Sequence, residues 1–489
     1  MAAHHSYHAY PDTLLHIGGA WRTTGRSRHV VNPATEEIIG NVALADEAEP
    51  EDAVQAAKRG FATWRKTSAF ERSKLMCAAA HHLRVRAEAI AVTMTMEQGK
   101  PLSESRLETL AAADTVEWFA EEARRTYGRV IPARVDGVTQ IVTHEPVGIA
   151  AAFTPWNFPL NQAARKVSAA LAADCVIILK GPDETPASCS ALVQAFIDAG
   201  LPDGVLSLVF GVPADVSGHL VAHPAVAKIS FTGSIEVGKS LASMAGRHMK
   251  RATMELGGHA PAIVFADNDL PRAAKLLVAA KFRNASQVCI SPTRFLVEES
   301  ACAEFTHHFV DAARALETGD GVREGVQMGP LAHARRVDAM ERLVADALDH
   351  GASIALGGKR PNRRGFFFEP TVLTNVLAAA RVMNEEPFRP VAPISTFRSY
   401  DEVMAKANLL PVRLAAYAYT RDAVMLDALS RDIESGMISL DHHGLELPET
   451  PFGGVKESSH GSEGGTEAMQ AFLVTKFVSR MAWRRDADY

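Results

Sequence analysis

The sequence has no apolar run of the roughly 18 residues that a membrane span needs. Its opening, MAAHHSYHAY, lacks the charged-then-apolar order of a signal peptide. It has no large excess of one charge, since 51 Lys and Arg oppose 57 Asp and Glu for a formal net charge of −6. Its five cysteines are too few and too scattered for a disulfide framework. These absences predict a soluble, cytoplasmic protein that binds neither nucleic acid nor membrane.

The sequence also lacks the spacings of a metal site. Its 19 histidines include adjacent pairs such as His81-His82, but neither H-E-x-x-H nor a zinc-type Cys/His spacing occurs. Residues next to each other on a helix point to different sides, so these pairs do not make a ligand set. We therefore expect no metal cofactor.

The 489 residues predict about three domains, or two large ones with an elaboration. The first third reads as helical, with one helix from Pro50 and a longer one from Glu71 toward Met96, where Gly99 and Pro101 stop it.

From residue 148 onward, short apolar runs alternate with helical patterns, which predicts a parallel α/β sheet. The predicted strands are Ile149–Phe153, Val176–Leu179, Leu206–Val209, Ile229–Phe231 and Ile263–Phe265. A second alternating region, from about 260 to 440, has strand candidates at Phe295–Val297 and Phe366–Phe368. Two stacked α/β domains are expected. The tail Ala471–Arg480 is rich in strand formers without a local partner, which predicts an edge or inter-subunit strand.

Residues 233–240, GSIEVGKS, match the Walker A pattern directly after a predicted strand. Backbone N–H groups at such a strand-to-helix turn bind phosphate oxygens, and they serve a dinucleotide pyrophosphate equally well. A Walker site also needs an acidic magnesium ligand, for which only Asp267 after AIVFA is a weak candidate. A P-loop nucleotidase therefore stays open as a remote alternative.

Four further segments carry residue types suited to a reactive site. They are TPWNFP at 154–159, ELGG at 255–258, QVC at 287–289 and EEPF at 385–388. Each alone has an ordinary structural interpretation, such as a turn, a helix end or a buried thiol. Together and in this order they resemble the aldehyde dehydrogenase superfamily, and the resemblance extends from NPAT at 32–35 and EQGKP at 97–101 to PFGGVK at 451–456.

The resemblance implies an α/β fold with two doubly wound parallel-sheet domains and a small β oligomerisation flap. The cofactor domain is expected at 1–124 and 147–257, the catalytic domain at 258–456, and the flap at 125–146 and 467–489. A homodimer or homotetramer is implied, with the active site between the domains. In the family the segment FTGS at 231–234, with Gly238, opens the helix that faces the dinucleotide, so the Lys-Ser ending of the Walker match is interpreted as accidental.

Oxidation of an aldehyde needs a nucleophile first, because a planar aldehyde carbon cannot expel hydride. Cysteine suits this role, since its thiolate is strongly nucleophilic, and Cys289 is the predicted nucleophile. The Asn157 amide and the Cys289 backbone N–H resemble the family's oxyanion hole. Glu255 matches the family's general base for hydrolysis of the thioester.

The resemblance assigns a larger set to the dinucleotide: Thr154, Pro155, Trp156, Lys180, Asp183, Gly233, Ser234, Gly238, Leu256, Gly257, Glu386 and Phe388. Glu386, with Phe388, resembles the acidic contact to the nicotinamide ribose. Asp183 stands where the family often has Glu, and an acid there accepts from a ribose 2′-OH and repels a 2′-phosphate. NAD is therefore favoured, with NADP still open. The alternative is that Asp183 caps the next helix.

Two arginines carry the substrate prediction. Arg165 and Arg283 match arginines that resemble the carboxylate clamp of succinic semialdehyde dehydrogenases, and a guanidinium fork suits a distal carboxylate. A short semialdehyde acid such as succinic semialdehyde is predicted. α-Ketoglutaric semialdehyde or an apolar aldehyde stays open, because each arginine alone has the alternative of an ion pair with a neighbouring acid. A serine that some of those enzymes use as a third ligand has no clear counterpart in GLELP at 444–448.

The chain departs from the family pattern at four loop positions. They are Ser286, Arg389 and Ser459, where glycine is usual, and Ser462, where arginine is usual. These departures leave open a scaffold that binds cofactor without turnover.

Overall fold

The computed structural model describes residues 10–482, so the expectations for 1–9 and for 483–489, the last part of the proposed flap, lie outside it. Four strands come first: β1 (Leu15–Ile17), β2 (Ala20–Arg22), β3 (Arg26–Asn32) and β4 (Glu37–Leu44). Four helices follow: α1 (Ala48–Trp64), α2 (Ala69–Val85), α3 (Ala87–Gln98) and α4 (Leu102–Glu122). Strands β5 (Arg129–Ile131) and β6 (Val138–Pro146) complete this part.

The predicted single helix from Glu71 toward Met96 is wrong, because the chain breaks at Arg86 into α2 and α3. A continuous helix over both would be about 45 Å long at 1.5 Å per residue. Both halves pack instead on the 21-residue α4. The predicted stop is confirmed, since Gly99 caps α3 with a φ of 95°.

The first predicted parallel sheet is confirmed for four of its five predicted strands, while the fifth, Ile263–Phe265, lies in the second sheet within a strand that ends at Val264. Its units are β7 (Ile149–Phe153), α5 (Pro159–Ala172), β8 (Val176–Lys180), α6 (Pro186–Asp198), β9 (Leu206–Val209), α7 (Pro213–Ala222), β10 (Val226–Thr232), α8 (Ile235–Arg247) and β11 (Arg251–Glu255). The sheet order is β2-β1-β9-β8-β7-β10-β11, with the antiparallel β1–β2 pair at one edge. Strands β7, β8 and β9 are buried along their whole length, which explains their continuous apolar sequences.

A second, largely parallel sheet is built from the region after residue 259. It contains β12 (Ala260–Val264), α9 (Leu270–Phe282), β13 (Pro292–Glu298), α10 (Cys302–Arg314), α11 (Ala334–Asp349), β14 (Ser353–Leu356), β15 (Thr371–Thr374), α12 (Arg381–Asn384), β16 (Val391–Phe397), α13 (Tyr400–Ala407), β17 (Val412–Arg413), β18 (Ala415–Tyr419), α14 (Ala423–Asp432) and β19 (Met437–Leu440). Its order is β14-β15-β16-β13-β12-β18-β19, while β17 lies outside it. The two sheets carry separate hydrophobic cores.

The predicted strand at Phe366–Phe368 is wrong. The segment is irregular, and the backbone of Phe366 pairs with two loops, donating to the carbonyl of Pro33 and accepting from the N–H of Leu331. Its apolar side chains are nevertheless buried at Phe367 and Phe368. The aromatic run therefore reflects burial of a loop and not a place in a sheet.

The chain ends in β20 (Val455–Lys456), β21 (Ser459–His460), α15 (Gly465–Gln470) and β22 (Leu473–Met481). Strand β21 extends the first sheet by pairing antiparallel with β11. Strand β22 pairs along the whole of β6 and forms the edge of a three-stranded sheet, as the tail composition predicted. In the part of the chain that the structure describes, no helix is long and apolar enough to cross a membrane.

Candidate active site

A cavity of about 190 Å³ opens where the carboxyl ends of β7, β10 and β11 face loop and helix residues from the region that forms the second sheet. Such ends are where ligands bind in α/β sheets. Predicted site residues that line it are Pro155, Trp156, Asn157, Gly233, Ser234, Glu255, Leu256, Gly257, Cys289, Glu386 and Phe388. Four further lining residues, Gln162, Thr232, Arg336 and Arg389, were not predicted as site residues.

The half-buried Cys289 follows a strained turn between α9 and β13. Asn284, Ala285 and Ser286 have φ values of 47°, 50° and 61°, a left-handed conformation that is costly for residues other than glycine. The turn is held from outside. The Asn284 N–H donates to the carboxylate of Glu104 at 2.9 Å, and its side-chain amide donates to the carbonyl of Asn157 at 3.0 Å.

Burial raises the pKa of the Cys289 thiol, and the carboxylates of Glu446, Glu386 and Glu255 raise it further. The thiol is therefore the resting form at neutral pH. A base or a nearby positive charge has to favour the thiolate before the sulfur reacts.

Asn157 lies in the turn after β7, and its side chain is tied to the cysteine loop. Its Nδ2 donates to the carbonyl of Gln287 at 3.0 Å. Its buried Oδ1 has no hydrogen-bond partner among residues 10–482. The carbonyl of Asn157 accepts from the buried Lys100 Nζ at 2.7 Å, which fixes the backbone of this turn.

Glu255 ends β11 and is buried beside the cavity. One oxygen, Oε1, accepts a 2.6 Å hydrogen bond from the Ser459 hydroxyl, while Oε2 has no partner in the described chain. Burial raises the pKa of Glu255, and the carboxylate of Glu463 raises it further. Glu463 is itself paired with the buried Lys166, whose Nζ also donates to Thr232 at 2.7 Å.

Glu386 lies in the loop between α12 and β16 and lines the cavity. Its Oε1 accepts from the N–H of Gly258 at 3.2 Å, and a Cβ at Gly257 would collide with its carboxylate. Burial raises the pKa of Glu386 to about 7. The Arg336 guanidinium lies over the ring of Phe388 at 4.9 Å and over Trp156 at 5.0 Å. Arg336 had no sequence signal, because its position in α11 is distant from every motif.

A dinucleotide fits the residues beside this cavity. Helix α8 begins after Ser234 with no side-chain cap, so its first N–H groups are available to an anion. Gly238 lets α8 pack directly on Leu256, since a Cβ there would collide with the leucine side chain. Thr154 lies at the end of β7, where its backbone N–H donates to the carbonyl of Lys180.

Asp183 lies outside the cavity and is buried against two cations. It pairs with Lys180 at 2.9 Å and with Arg28 at 3.4 Å. The alternative that it caps the next helix is wrong, because α6 begins after Thr185 without a side-chain cap bond. A carboxylate held at a strand end remains compatible with a ribose hydroxyl.

The Walker interpretation gains no support from the geometry. Lys239 pairs with Glu457 at 2.8 Å on the surface. Asp267 follows β12 in the second sheet, where it accepts from the Thr420 hydroxyl at 2.8 Å and from two backbone N–H groups. The lysine and the acid therefore serve separate structural roles.

Neither predicted substrate arginine lines the cavity, and both contact Glu446. The Arg165 Nη2 donates to the Glu446 carbonyl at 2.8 Å, and the Arg283 Nη1 pairs with the Glu446 carboxylate at 2.8 Å. The alternative of an ion pair is therefore what the structure shows for Arg283. Sequence reasoning missed Glu446, which lies in the segment where a third ligand was sought.

A model of the aldehyde dehydrogenase family matches residues 21–478. The chain is 46% identical to 4-(hydroxymethyl)benzenesulfonate dehydrogenase TsaD1 of Comamonas testosteroni, over 96% of this chain and 98% of that protein. It is 41% identical to 3-sulfolactaldehyde dehydrogenase of Pseudomonas putida, over 94% of this chain and 96% of that protein.

Solved structures agree along nearly the whole chain. Succinate-semialdehyde dehydrogenase from Burkholderia pseudomallei matches with a TM-score of 0.94 at 38% identity, over 96% of this chain and 98% of that one. Betaine aldehyde dehydrogenase from Staphylococcus aureus in complex with NAD+ gives 0.93 at 30% identity, over 96% and 94%. A 3,6-anhydro-L-galactose dehydrogenase in complex with NAP gives 0.93 at 32%, over 96% and 100%.

Proposed function

Because this chain belongs to the aldehyde dehydrogenase family, we propose that it oxidises an aldehyde with a distal anionic group to the carboxylic acid, through a thioester on Cys289. The family makes it an NAD(P)-dependent oxidoreductase that acts on aldehydes. The observation that carries the residue assignment is a single cavity lined by Cys289, Asn157 and Glu255 together.

In this proposal the Cys289 thiol loses its proton to solvent, and the thiolate adds to the aldehyde carbon and makes it tetrahedral. The Cys289 backbone N–H and the Asn157 amide stabilise the oxyanion. To do so, the amide gives up its hydrogen bond to the Gln287 carbonyl and donates to the oxyanion. When bound beside that carbon, NAD(P)+ would supply the oxidant that takes up its hydride. The product of this half-reaction is an acyl group on sulfur.

Glu255 then acts as the general base for hydrolysis. Its unpartnered Oε2 is free to accept the proton of a water that attacks the thioester carbonyl. The tetrahedral intermediate expels the sulfur and the acid leaves, and the proton held by Glu255 passes to the sulfur, which regenerates the Cys289 thiol and the Glu255 carboxylate. The raised pKa of Glu255 suits a base that has to hold a proton near neutral pH.

For the dinucleotide, we propose that Glu386 contacts the nicotinamide ribose and that the first turn of α8 receives the pyrophosphate. The buried Asp183 carboxylate at the end of β8 favours NAD, because it would repel a 2′-phosphate. Exposed apolar side chains on β22, among them Phe477 and Met481, suit a homodimer or homotetramer joined through this strand.

The proposed substrate is a short semialdehyde acid such as succinic semialdehyde. A sulfonated aldehyde is a second candidate, favoured by the 46% and 41% identities to dehydrogenases named for sulfonated compounds. Carboxylate and sulfonate tails both offer oxygens to a guanidinium fork, so Arg165 and Arg283 suit either.

Replacement of the nucleophile tests the proposal. Wild type, Cys289→Ala and Cys302→Ala are compared with succinic semialdehyde, a sulfonated benzaldehyde and butanal, each with NAD+ or NADP+. Cys302 is a matched control, since it is also half-buried but begins α10 away from the cavity. We expect Cys289→Ala alone to lose about 10³-fold or more in activity. Unchanged activity in Cys289→Ala would overturn the proposal. So would the absence of an acyl adduct on Cys289 of the wild-type enzyme in mass spectrometry.

A further inference from the structure

We infer that Glu446 is a specificity-determining residue. Its carboxylate is paired with the Arg283 guanidinium, which an anionic substrate tail needs for binding, so the tail has to displace the carboxylate. The inference rests on the proposed function. It assigns a role to a carboxylate of this chain that sits where an external anion would bind.

The two arginines that meet Glu446 are fixed in place by aromatic rings. The Arg165 guanidinium lies 5.1 Å from the ring centre of Phe452, and that of Arg283 lies 4.9 Å from the ring centre of Phe158. The Nη2 of buried Arg165 donates to the Glu446 carbonyl, while its Nη1 has no hydrogen-bond partner in the described part of the chain. The Nη1 of Arg165 can therefore donate a hydrogen bond to a further oxygen.

Glu446 lies within electrostatic reach of the reacting sulfur. After burial, its carboxylate has the largest effect on the Cys289 thiol, whose pKa it raises. It also raises the pKa of Tyr417, whose hydroxyl donates to the carbonyl of Ile290, the residue after the cysteine. An anion bound in place of the Glu446 carboxylate would therefore lie within the same electrostatic range of the nucleophile.

The carboxylate is able to leave. Glu446 belongs to an irregular segment between β19 and β20, and its side chain is 31% exposed. Rotation toward solvent therefore leaves no buried negative charge behind. If it stayed, an arriving carboxylate or sulfonate would meet a like charge on the same guanidinium, which is strongly unfavourable. Glu446 thus competes with every anionic substrate and with no neutral one.

The test compares Glu446→Gln with Glu449→Gln, a carboxyl-to-amide change in the same segment. The measured quantity is the ratio of kcat/KM for succinic semialdehyde to kcat/KM for butanal, which has the same carbon chain without the carboxylate. A ratio cancels the lowered thiol pKa, since that change affects both aldehydes. We expect the ratio to rise about tenfold in Glu446→Gln, because the substrate carboxylate then forms one charge-assisted hydrogen bond to Arg283 without competition from Glu446. The ratio should stay unchanged in Glu449→Gln.

Equilibrium binding gives a readout that needs no turnover. Calorimetric titration with succinate should show about tenfold tighter binding to Glu446→Gln than to wild type or Glu449→Gln. A lower ratio and weaker succinate binding would overturn the inference, because Glu446 would then support the arginines. Unchanged values would overturn it as well. Tighter succinate binding without oxidation of any aldehyde would support the anion site while refuting the proposed function.

Discussion

Replacement of Ser459 by alanine should move the pH dependence of acyl-enzyme hydrolysis to higher pH. The antiparallel register of β21 on β11 pairs Ser459 with Glu255, and the serine hydroxyl donates to Oε1 at 2.6 Å. This bond stabilises the charged carboxylate and opposes the increase in pKa caused by burial and by Glu463. Without it, the folded-state pKa of Glu255 rises further.

The size of the shift follows from the kind of bond that is lost. A hydrogen bond to a charged group contributes about 1.5–3 kcal/mol, and one pKa unit corresponds to about 1.36 kcal/mol. The acidic limb of the pH–rate profile for hydrolysis, where Glu255 has to lose its proton, should therefore move upward by about 1–2 pH units. Below that limb the hydrolysis rate should fall about tenfold or more, since the ionised fraction of Glu255 falls in proportion.

The assay is single-turnover release of the acid from the acylated enzyme between pH 5 and 10, where acylation does not limit the rate. Ser462→Ala is the matched control, because the Ser462 hydroxyl donates to the carbonyl of Phe452 at 3.0 Å. Ser459→Thr keeps a hydroxyl and should restore the profile. An unmoved limb in Ser459→Ala, or one moved to lower pH, would refute the reasoning, as would an equal shift in the control.

Two further substitutions test the cofactor and substrate assignments. Asp183→Ala leaves Lys180 and Arg28 without their carboxylate, so the ratio of kcat/KM with NADP+ to that with NAD+ should rise about tenfold; an unchanged ratio in initial-rate assays contradicts this assignment. Arg283→Ala should lose about tenfold in preference for succinic semialdehyde over butanal, and an unchanged ranking in a steady-state aldehyde panel would remove the substrate assignment while leaving the reaction type intact.

The parallel strands were predictable because burial on both faces forces a continuous apolar sequence. Leu206–Val209 was predicted with the bounds that the structure has. The same criterion produced the wrong strand at Phe366–Phe368, because a buried loop satisfies it as well. Apolar content reports burial, whereas strand pairing depends on partners that a local sequence does not contain.

The lining residues that belong to short contiguous motifs were equally predictable, since each motif holds its residues within a few positions. The contacts that adjust those residues were not. Glu446 is 163 residues from Arg283, and Ser459 is 204 residues from Glu255. Ser459 was visible only as a departure from the family pattern, and its contact required the antiparallel pairing of β21 on β11. Such pairs follow from the fold and have no local sequence signal.

Three consecutive left-handed residues before Cys289 have a consequence for the rest of the chain. Because none is glycine, the segment would relax on its own, and its shape is imposed by distant neighbours: Gln98 donates to the Asn284 side chain at 2.9 Å, and Glu104 accepts from its backbone. Helices α3 and α4 thus hold this turn through Gln98 and Glu104, and they orient the sulfur through Asn284. Inactivating substitutions should accordingly be found there, far along the chain from any reacting atom.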